Sequence, residues 1–253
     1  MKKIAMITGA SSGIGASAAR KLAGQGYNLS LCARREEALE KIARQCEKLG
    51  AQAHWQVADV RDAGDRERFV SGALERFGKV DVLFNNAGLA IGLDPLLETD
   101  AEDARTVFET NVLAVIEMTR LALPGMIQRG SGHLVFMGSI AGRQAYEGGS
   151  VYCASKFALR AMVDSLRQEI AEHPIRITLI DPGMVETEFS VVRFRGDKDR
   201  ADSIYKGIKA LTGDDIAETV FWSISQPPHV NISEILVCPV HQADARKIVK
   251  CQT

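Results

Sequence analysis

Ile4-Ala5-Met6-Ile7-Thr8-Gly9-Ala10-Ser11-Ser12-Gly13-Ile14-Gly15 is the stretch that decides the fold. Its first five residues form a short apolar run of the kind found in strands buried on both faces. The run enters a glycine-rich loop without a break, and a helical pattern follows to about Gln25. Strand, glycine loop and helix in that order is the setting of a dinucleotide-binding fingerprint. There the glycines let backbone approach a pyrophosphate, and the helix N-terminus favours its charge. The spacing is Gly-x-x-x-Gly-x-Gly, and Gly9, Ser11, Ser12, Gly13, Ile14 and Gly15 are the expected cradle. The bland alternative, that these glycines only turn the chain, does not account for the strand before them and the helix after them.

Outward from this unit, strand-like and helix-like segments alternate. Strands fit near 4–8, 28–33, 53–58, 80–86, 132–138, 176–181 and 234–239, and helices near 13–25, 36–49, 64–77, 102–123, 151–171 and 214–225. Alternation of this kind predicts an α/β fold, a single Rossmann-like doubly wound domain over residues 1–253 with helices on both faces of a seven-stranded parallel sheet. Right-handed crossovers permit the strand order 3-2-1-4-5-6-7 and send the loops after the strands to one edge.

The second strand ends Leu31-Cys32-Ala33 and runs into Arg34-Arg35, with no acidic residue before Glu36. An acidic side chain at this place holds the ribose 2′-hydroxyl of NAD, whereas arginine accommodates the 2′-phosphate of NADP, so the residues point to NADP. These cations could instead simply solvate the start of the next helix. Further along, Tyr152 and Lys156 stand four residues apart on one expected helix, and Ser139 closes a strand thirteen residues before Tyr152. Residues at i and i+4 share a helix face, so an ammonium and a phenol can address one substrate atom. A bare phenol titrates near pH 10; a neighbouring cation and a helix N-terminus both favour its ionised form. Gly148-Gly149-Ser150 supplies the helix start. Ser139 would donate its hydroxyl to a substrate carbonyl.

Thr8-Gly9 through Gly15, Asn85-Asn86-Ala87-Gly88, Asn111, Ser139, Tyr152-x-x-x-Lys156 and Pro182-Gly183 together resemble, in order and spacing, the motif set of the short-chain dehydrogenase/reductase family. Ser139-Ile140-Ala141-Gly142-Arg143, Met184 to Ser190 and Arg193-Phe194-Arg195-Gly196 are similar to the NADP-dependent 3-hydroxy acid dehydrogenase branch, also described as serine or allo-threonine dehydrogenases and malonic semialdehyde reductases. The resemblance implies a catalytic set of Asn111, Ser139, Tyr152 and Lys156. It implies that Tyr152 exchanges the hydroxyl proton, Lys156 also binds the nicotinamide ribose, and Asn111 holds a water leading from Lys156 to bulk. It also implies cofactor contacts at Asp59, Val60, Asn86, Ala87, Gly88, Pro182, Gly183, Val185 and Thr187, and commonly a homotetramer through the helices carrying Asn111 and Tyr152. Apolar positions around Val112, Val115, Met118, Ala158 and Met162 would permit such packing. Read without the resemblance, Asn111 is a surface residue of an amphipathic helix, and Asp59 serves equally well as a helix cap.

Glu188 to about Thr212 is charged and poorly periodic, the character of a substrate lid. Arg193 or Arg195 could pair there with a substrate carboxylate, or the segment could be a solvated loop. Tyr146 is placed on the pocket wall. Relatives acting on 3-oxoacyl-thioesters or steroids usually close with a glycine pair after the last strand. This chain instead reads Glu234-Ile235-Leu236-Val237-Cys238-Pro239-Val240-His241-Gln242, which agrees with the hydroxy acid branch. A non-catalytic NADP-binding sensor would have no use for an intact Ser139, Tyr152 and Lys156.

Composition narrows the remaining classes. Lys and Arg total 31 against 32 Asp and Glu, a net charge of −1, so no basic surface recommends nucleic acid. Cys32, Cys46, Cys153, Cys238 and Cys251 are scattered without a Cys-x-x-Cys pair, and the five histidines form no ligand set, so no metal is expected. No apolar run approaches the roughly 18 residues of a membrane span. These features lead to the expectation of a cytoplasmic protein.

Overall fold

The computed structural model describes residues 2–250, and Cys251 lies outside that span. Its elements in chain order are β1 (Ile4–Thr8), α1 (Gly13–Gly24), β2 (Asn28–Ala33), α2 (Glu36–Lys48), β3 (Ala53–Val57), α3 (Ala63–Phe77), β4 (Val82–Asn85), α4 (Ala101–Phe108), a π-helical turn (Glu109–Leu113), α5 (Ala114–Arg129), β5 (Gly132–Met137), α6 (Ser150–Glu169), β6 (Ile175–Pro182), α7 (Phe189–Arg193), α8 (Lys198–Ser203), α9 (Gly213–Ser225) and β7 (Glu234–Val237). The seven strands pair in the order β3-β2-β1-β4-β5-β6-β7, all parallel, as the alternation in the sequence predicts.

Period-two alternation along the strands divides the core in two. Ile7, Leu29, Leu31, Phe84, Val135 and Ile180 pack against α1, α2 and α9 on one face. Met6, Leu83, Phe136 and Leu179 turn to the other face, against Phe69 of α3, Met118 and Met126 of α5 and Val163 of α6. Helix ends follow ordinary capping chemistry. Asp62 accepts from the Asp65 amide at the start of α3, Thr212 and Asp215 form a capping box at α9, and α3 and α5 end on left-handed Gly78 and Gly130.

The expected 102–123 helix differs most from what is found. It is broken by the π-helical turn at Glu109–Leu113 and then continues through Pro124 to Arg129. Proline removes one amide donor, and the carbonyl four residues back belongs to exposed Arg120, where water can take its place. Val112, Val115 and Met118 are buried at 8% exposure or less, Val115 and Met118 in the second core, so they do not form an outward-facing seam. The apolar side chains exposed on this part of the surface are instead Phe108, Leu113 and Phe157.

His133 on β5 is fully buried, with Nε2 2.7 Å from Thr178 Oγ1. The Thr178 hydroxyl donates to Ile232 O at 2.7 Å, so His133 Nε2–H must be the donor to Thr178, and Nδ1 is left without a partner. Burial pushes the imidazole from 6.5 down to about 3. Between those values the unfolded chain binds a proton that the folded protein refuses, so stability falls as the pH falls. The cost is expected to be up to about 1.4 kcal/mol for each pH unit below 6.5. Urea unfolding at about pH 7 and about pH 4 should show a smaller acid loss for His133→Gln than for the natural chain.

Candidate active site

At the C-terminal edge of the sheet a cleft of about 840 Å³ opens where the strand order reverses between β1 and β4. Gly9, Ser11, Ser12, Gly13 and Ile14 line it. The first turn of α1 carries no acidic residue, and Ser12 makes no side-chain cap, so its amide groups are available to an anion. Gly15 does not line the cleft. A Cβ there would lie 2.3 Å from Gly9 O and 2.5 Å from Asn86 Nδ2, so this glycine lets helix and loop close on each other. Asn86 holds that loop by donating to Thr8 O at 2.9 Å and Gly9 O at 3.2 Å, while the amides of Asn86 and Ala87 both donate to Thr8 Oγ1 at 3.0 Å.

Arg34 and Arg35 line the cleft just beyond β2. Arg35 Nη2 donates to Glu188 Oε2 at 2.7 Å, so one cation already spans from the β2 side to the base of the expected lid. Asp59 and Val60 line the same end. The cap reading of Asp59 is corrected, because Asp62 caps α3. The Asp59 carboxylate accepts from the Arg61 amide, Nε and Nη2 at 2.7–3.1 Å, and these bonds hold it below the usual carboxylate range.

At the other end stand Ser139, Tyr152 and Lys156, all lining the cleft with Ala87, Gly88, Pro182, Gly183, Val185 and Thr187. Ser139 caps the short turn that follows β5, accepting from the Ala141 amide at 3.1 Å. Tyr152 lies in the first turn of α6, and its ring meets Phe189 with centroids 5.6 Å apart. Lys156 Nζ lies 5.9 Å from the centre of the Tyr152 ring and donates to Met137 O at 2.8 Å. Burial pushes the ammonium down to about 8, with Asp181 opposing the fall. Burial also drives the phenol of Tyr152 above its ordinary value, against the Ser139 hydroxyl and the Arg193 charge. The sequence favours an ionised phenol beside Lys156; in the structure loss of water outweighs the Ser139 and Arg193 contributions, so the phenol is protonated at neutral pH.

Asn111 is 1% exposed, not a surface residue. Its side chain accepts from the Leu89 amide at 2.9 Å and donates to Leu89 O at 2.8 Å and Ser155 Oγ at 3.0 Å. It lies behind the cleft lining, converging with Lys156 on Gly88. A Cβ at Gly88 would stand 3.2 Å from Asn111 Oδ1 and 3.5 Å from Lys156 Nζ.

The stretch expected to be irregular contains α7 and α8 and is closed at its base by a parallel bridge between Val185 and Leu211. It separates the two candidate arginines. Arg193 enters the cleft, with Nε donating to Gly92 O at 2.9 Å, Nη1 to Tyr146 OH at 3.0 Å, and its guanidinium 5.8 Å from the Tyr152 ring centre. Its Nη2 is buried with no partner. Arg195 is corrected as a carboxylate holder. It takes a left-handed backbone at φ 54°, points away from the large cleft and pairs with Asp103 at the surface. The sequence reading also missed the tail after β7. Gln242 accepts from the Met184 amide at 2.8 Å, and Ala245, Arg246 and Ile248 line the cleft. No local pattern announces a tail that folds back over a distant loop.

Fold and cleft together define a dehydrogenase of the short-chain class. A family model described as short chain dehydrogenase matches residues 3–197, and the chain belongs to that family. It is 43% identical over 252 residues to an NADP-dependent 3-hydroxy acid dehydrogenase of Schizosaccharomyces pombe, covering 99% of this chain and 97% of the relative. An enzyme of the same description from Shigella flexneri is 37% identical, over 96% and 97%. A solved closed form of serine dehydrogenase complexed with NADP+ superimposes with a TM-score of 0.92 at 37% identity, covering 98% of this chain and 100% of that one. Among the described residues no helix is long and apolar enough to cross a membrane, and no group of His, Cys, Asp and Glu is arranged to hold a metal ion.

Proposed function

We propose that this chain is an NADP-dependent dehydrogenase of small 3-hydroxy acids, such as serine, allo-threonine or 3-hydroxyisobutyrate, or of their carbonyl forms, such as malonic semialdehyde. The observation that carries the substrate class is Arg193, whose buried Nη2 lacks a partner beside Tyr152. A buried N–H without a partner is costly, and a carboxylate oxygen would satisfy it.

The donor set fits the cofactor. The free amides of α1 suit a pyrophosphate, and Arg34 and Arg35 suit a 2′-phosphate. Bound NADP supplies the hydride carrier. In alcohol oxidation Ser139 fixes the substrate oxygen and Tyr152 takes its proton. Lys156 keeps positive charge beside the phenol, and Asn111 lies on the route by which a proton reaches bulk water. In carbonyl reduction the same phenol gives its proton back. Arg193 holds the carboxylate, Tyr146 orients Arg193, and residues 188–212 close over both as a lid.

The whole chain is read as one domain, working in the cytoplasm. A homotetramer would cover Phe108, Leu113 and Phe157. The family's other carbonyl substrates, thioesters and steroids, offer Arg193 no carboxylate beside the reacting carbon.

The direct test is a substrate panel. NADPH oxidation with malonic semialdehyde should exceed that with acetoacetyl thioesters and steroid ketones, and preference for a substrate without a carboxylate would overturn the proposal. For the cofactor, Arg34→Ala with Arg35→Ala should lower kcat/KM for NADP by about a hundredfold and leave NAD nearly unchanged. An equal loss with both cofactors would remove the 2′-phosphate role.

A further inference from the structure

Asp181, next to last in β6, is 2% exposed and belongs to no step described so far. Its Oδ1 accepts from the Ser139 amide at 3.0 Å. Its Oδ2 accepts from Arg143 Nε at 2.6 Å and Arg160 Nη1 at 3.2 Å. Glu234, at the start of β7, completes the cluster, accepting from Arg143 Nη2 at 2.6 Å and from Arg160 Nη2 at 2.7 Å. Register explains why the two carboxylates meet the same arginines. Glu234 pairs with Leu179 and Asp181 with Leu236, so both acidic side chains point to the sheet face that α6 covers.

Two members of this cluster, Arg160 and Arg143, lie next to reacting groups in the chain, and a third, Asp181, adjoins the cleft wall. Arg160 follows Lys156 by four residues and Tyr152 by eight on α6, one helix stripe. Arg143 follows Ser139 by four residues, in the turn after β5. Asp181 itself precedes Pro182 and Gly183 on the cleft wall. The backbone has also made room for the carboxylate, since a Cβ at Gly138 would fall 1.9 Å from Asp181 Oδ1. A cluster serving only to join β6, β7 and α6 would not require an empty side-chain place in the residue before Ser139, nor a carboxylate oxygen spent on the Ser139 amide.

The geometry points to Asp181 as a positioning residue that sets the backbone of Ser139 against the Tyr152 and Lys156 stripe, with Arg160 as the link between the two. It touches neither substrate nor cofactor and acts through Ser139. This role rests on the catalytic assignment of Ser139 and Tyr152 proposed above, and displacement of Ser139 should affect turnover more than binding.

The test compares Asp181→Ala, Asp181→Asn and Gly138→Ala with the natural enzyme. The readouts are kcat and KM for the 3-hydroxy acid panel, NADPH affinity by fluorescence titration, and hydrogen exchange of the Ser139 amide. Asp181→Ala is expected to lower kcat about a hundredfold with KM and NADPH affinity within about threefold, and to speed exchange at Ser139. Asp181→Asn keeps an oxygen for the Ser139 amide, so it should recover part of both losses. Gly138→Ala, which pushes the carboxylate away, should resemble Asp181→Ala. A kcat loss no larger than the loss of NADPH-binding protein, or an Asn variant as slow as the Ala variant, would overturn the role. If Asp181→Ala fails to fold, Asp181→Asn decides: slower turnover with intact NADPH affinity and faster Ser139 exchange supports the role, and unchanged values overturn it. A natural enzyme inactive toward every hydroxy acid would defeat the substrate reading alone. Ser139 exchange would then decide the positioning role, and an unchanged rate in the variants would overturn it.

Discussion

Tyr152→Phe is expected to lower kcat at least about a thousandfold while NADPH binding stays within about twofold of the natural enzyme. The substitution removes one oxygen and leaves the ring, so the packing on Phe189 at 5.6 Å survives and the fold has no reason to change. What is lost is the group that passes a proton to or from the substrate oxygen. Steady-state rates beside a fluorescence titration of NADPH check both halves. Turnover within tenfold of natural, or parallel loss of binding, would contradict the assigned role. The surroundings also give a direction. Burial raises the Tyr152 phenol above its ordinary value, so at neutral pH it carries the proton that carbonyl reduction requires. Lys156, pushed down to about 8, loses its charge above that pH, so reduction should decline there. Oxidation, which needs the phenol to give up its proton first, should rise with pH toward the alkaline range where the raised phenol begins to ionise.

Arg193→Met should lower kcat/KM for malonic semialdehyde by about a hundredfold, equivalent to about 2–3 kcal/mol for a charge-assisted, desolvated carboxylate contact. Propanal, an aldehyde of similar size without the carboxylate, should lose less than about threefold, because it offers Arg193 no carboxylate to hold. The pair of substrates separates anchoring from folding, since a misplaced lid would slow both. Arg193→Lys should recover little, because an ammonium cannot reach Gly92, Tyr146 and a carboxylate from one plane. Equal losses for the two aldehydes would contradict the anchor.

The residues that were legible in the sequence are those whose chemistry is local. Ile4 to Gly15 shows strand, loop and helix within one short span, and Tyr152 and Lys156 need only a helix to share a face. Sheet order followed from the alternation of elements and the handedness of crossovers, and all seven strands fall where they were expected within a few residues. What was not legible depends on contacts between distant segments. Arg193 and Arg195 are alike in sequence, and only the left-handed turn at Arg195 sends one guanidinium into the cleft and the other to Asp103. Asn111 looked like a polar interruption on a surface helix, yet a π-helical turn places it inward against Leu89. Val112, Val115 and Met118 match an apolar stripe, but all three are buried, Val115 and Met118 in the second core. Gln242, Arg246 and Asp181 act on loops far away in the chain, and nothing in their neighbours signals it.

The most direct measurement is a single turnover of enzyme-bound NADPH deuterated at both C4 positions with malonic semialdehyde, followed by mass analysis of the hydroxy acid. The natural enzyme should place one deuterium on the carbinol carbon, while Tyr152→Phe, holding the same NADPH, should give almost none in the same time. Product without deuterium, or equal product from both proteins, would contradict a phenol that passes the proton while the nicotinamide passes the hydride.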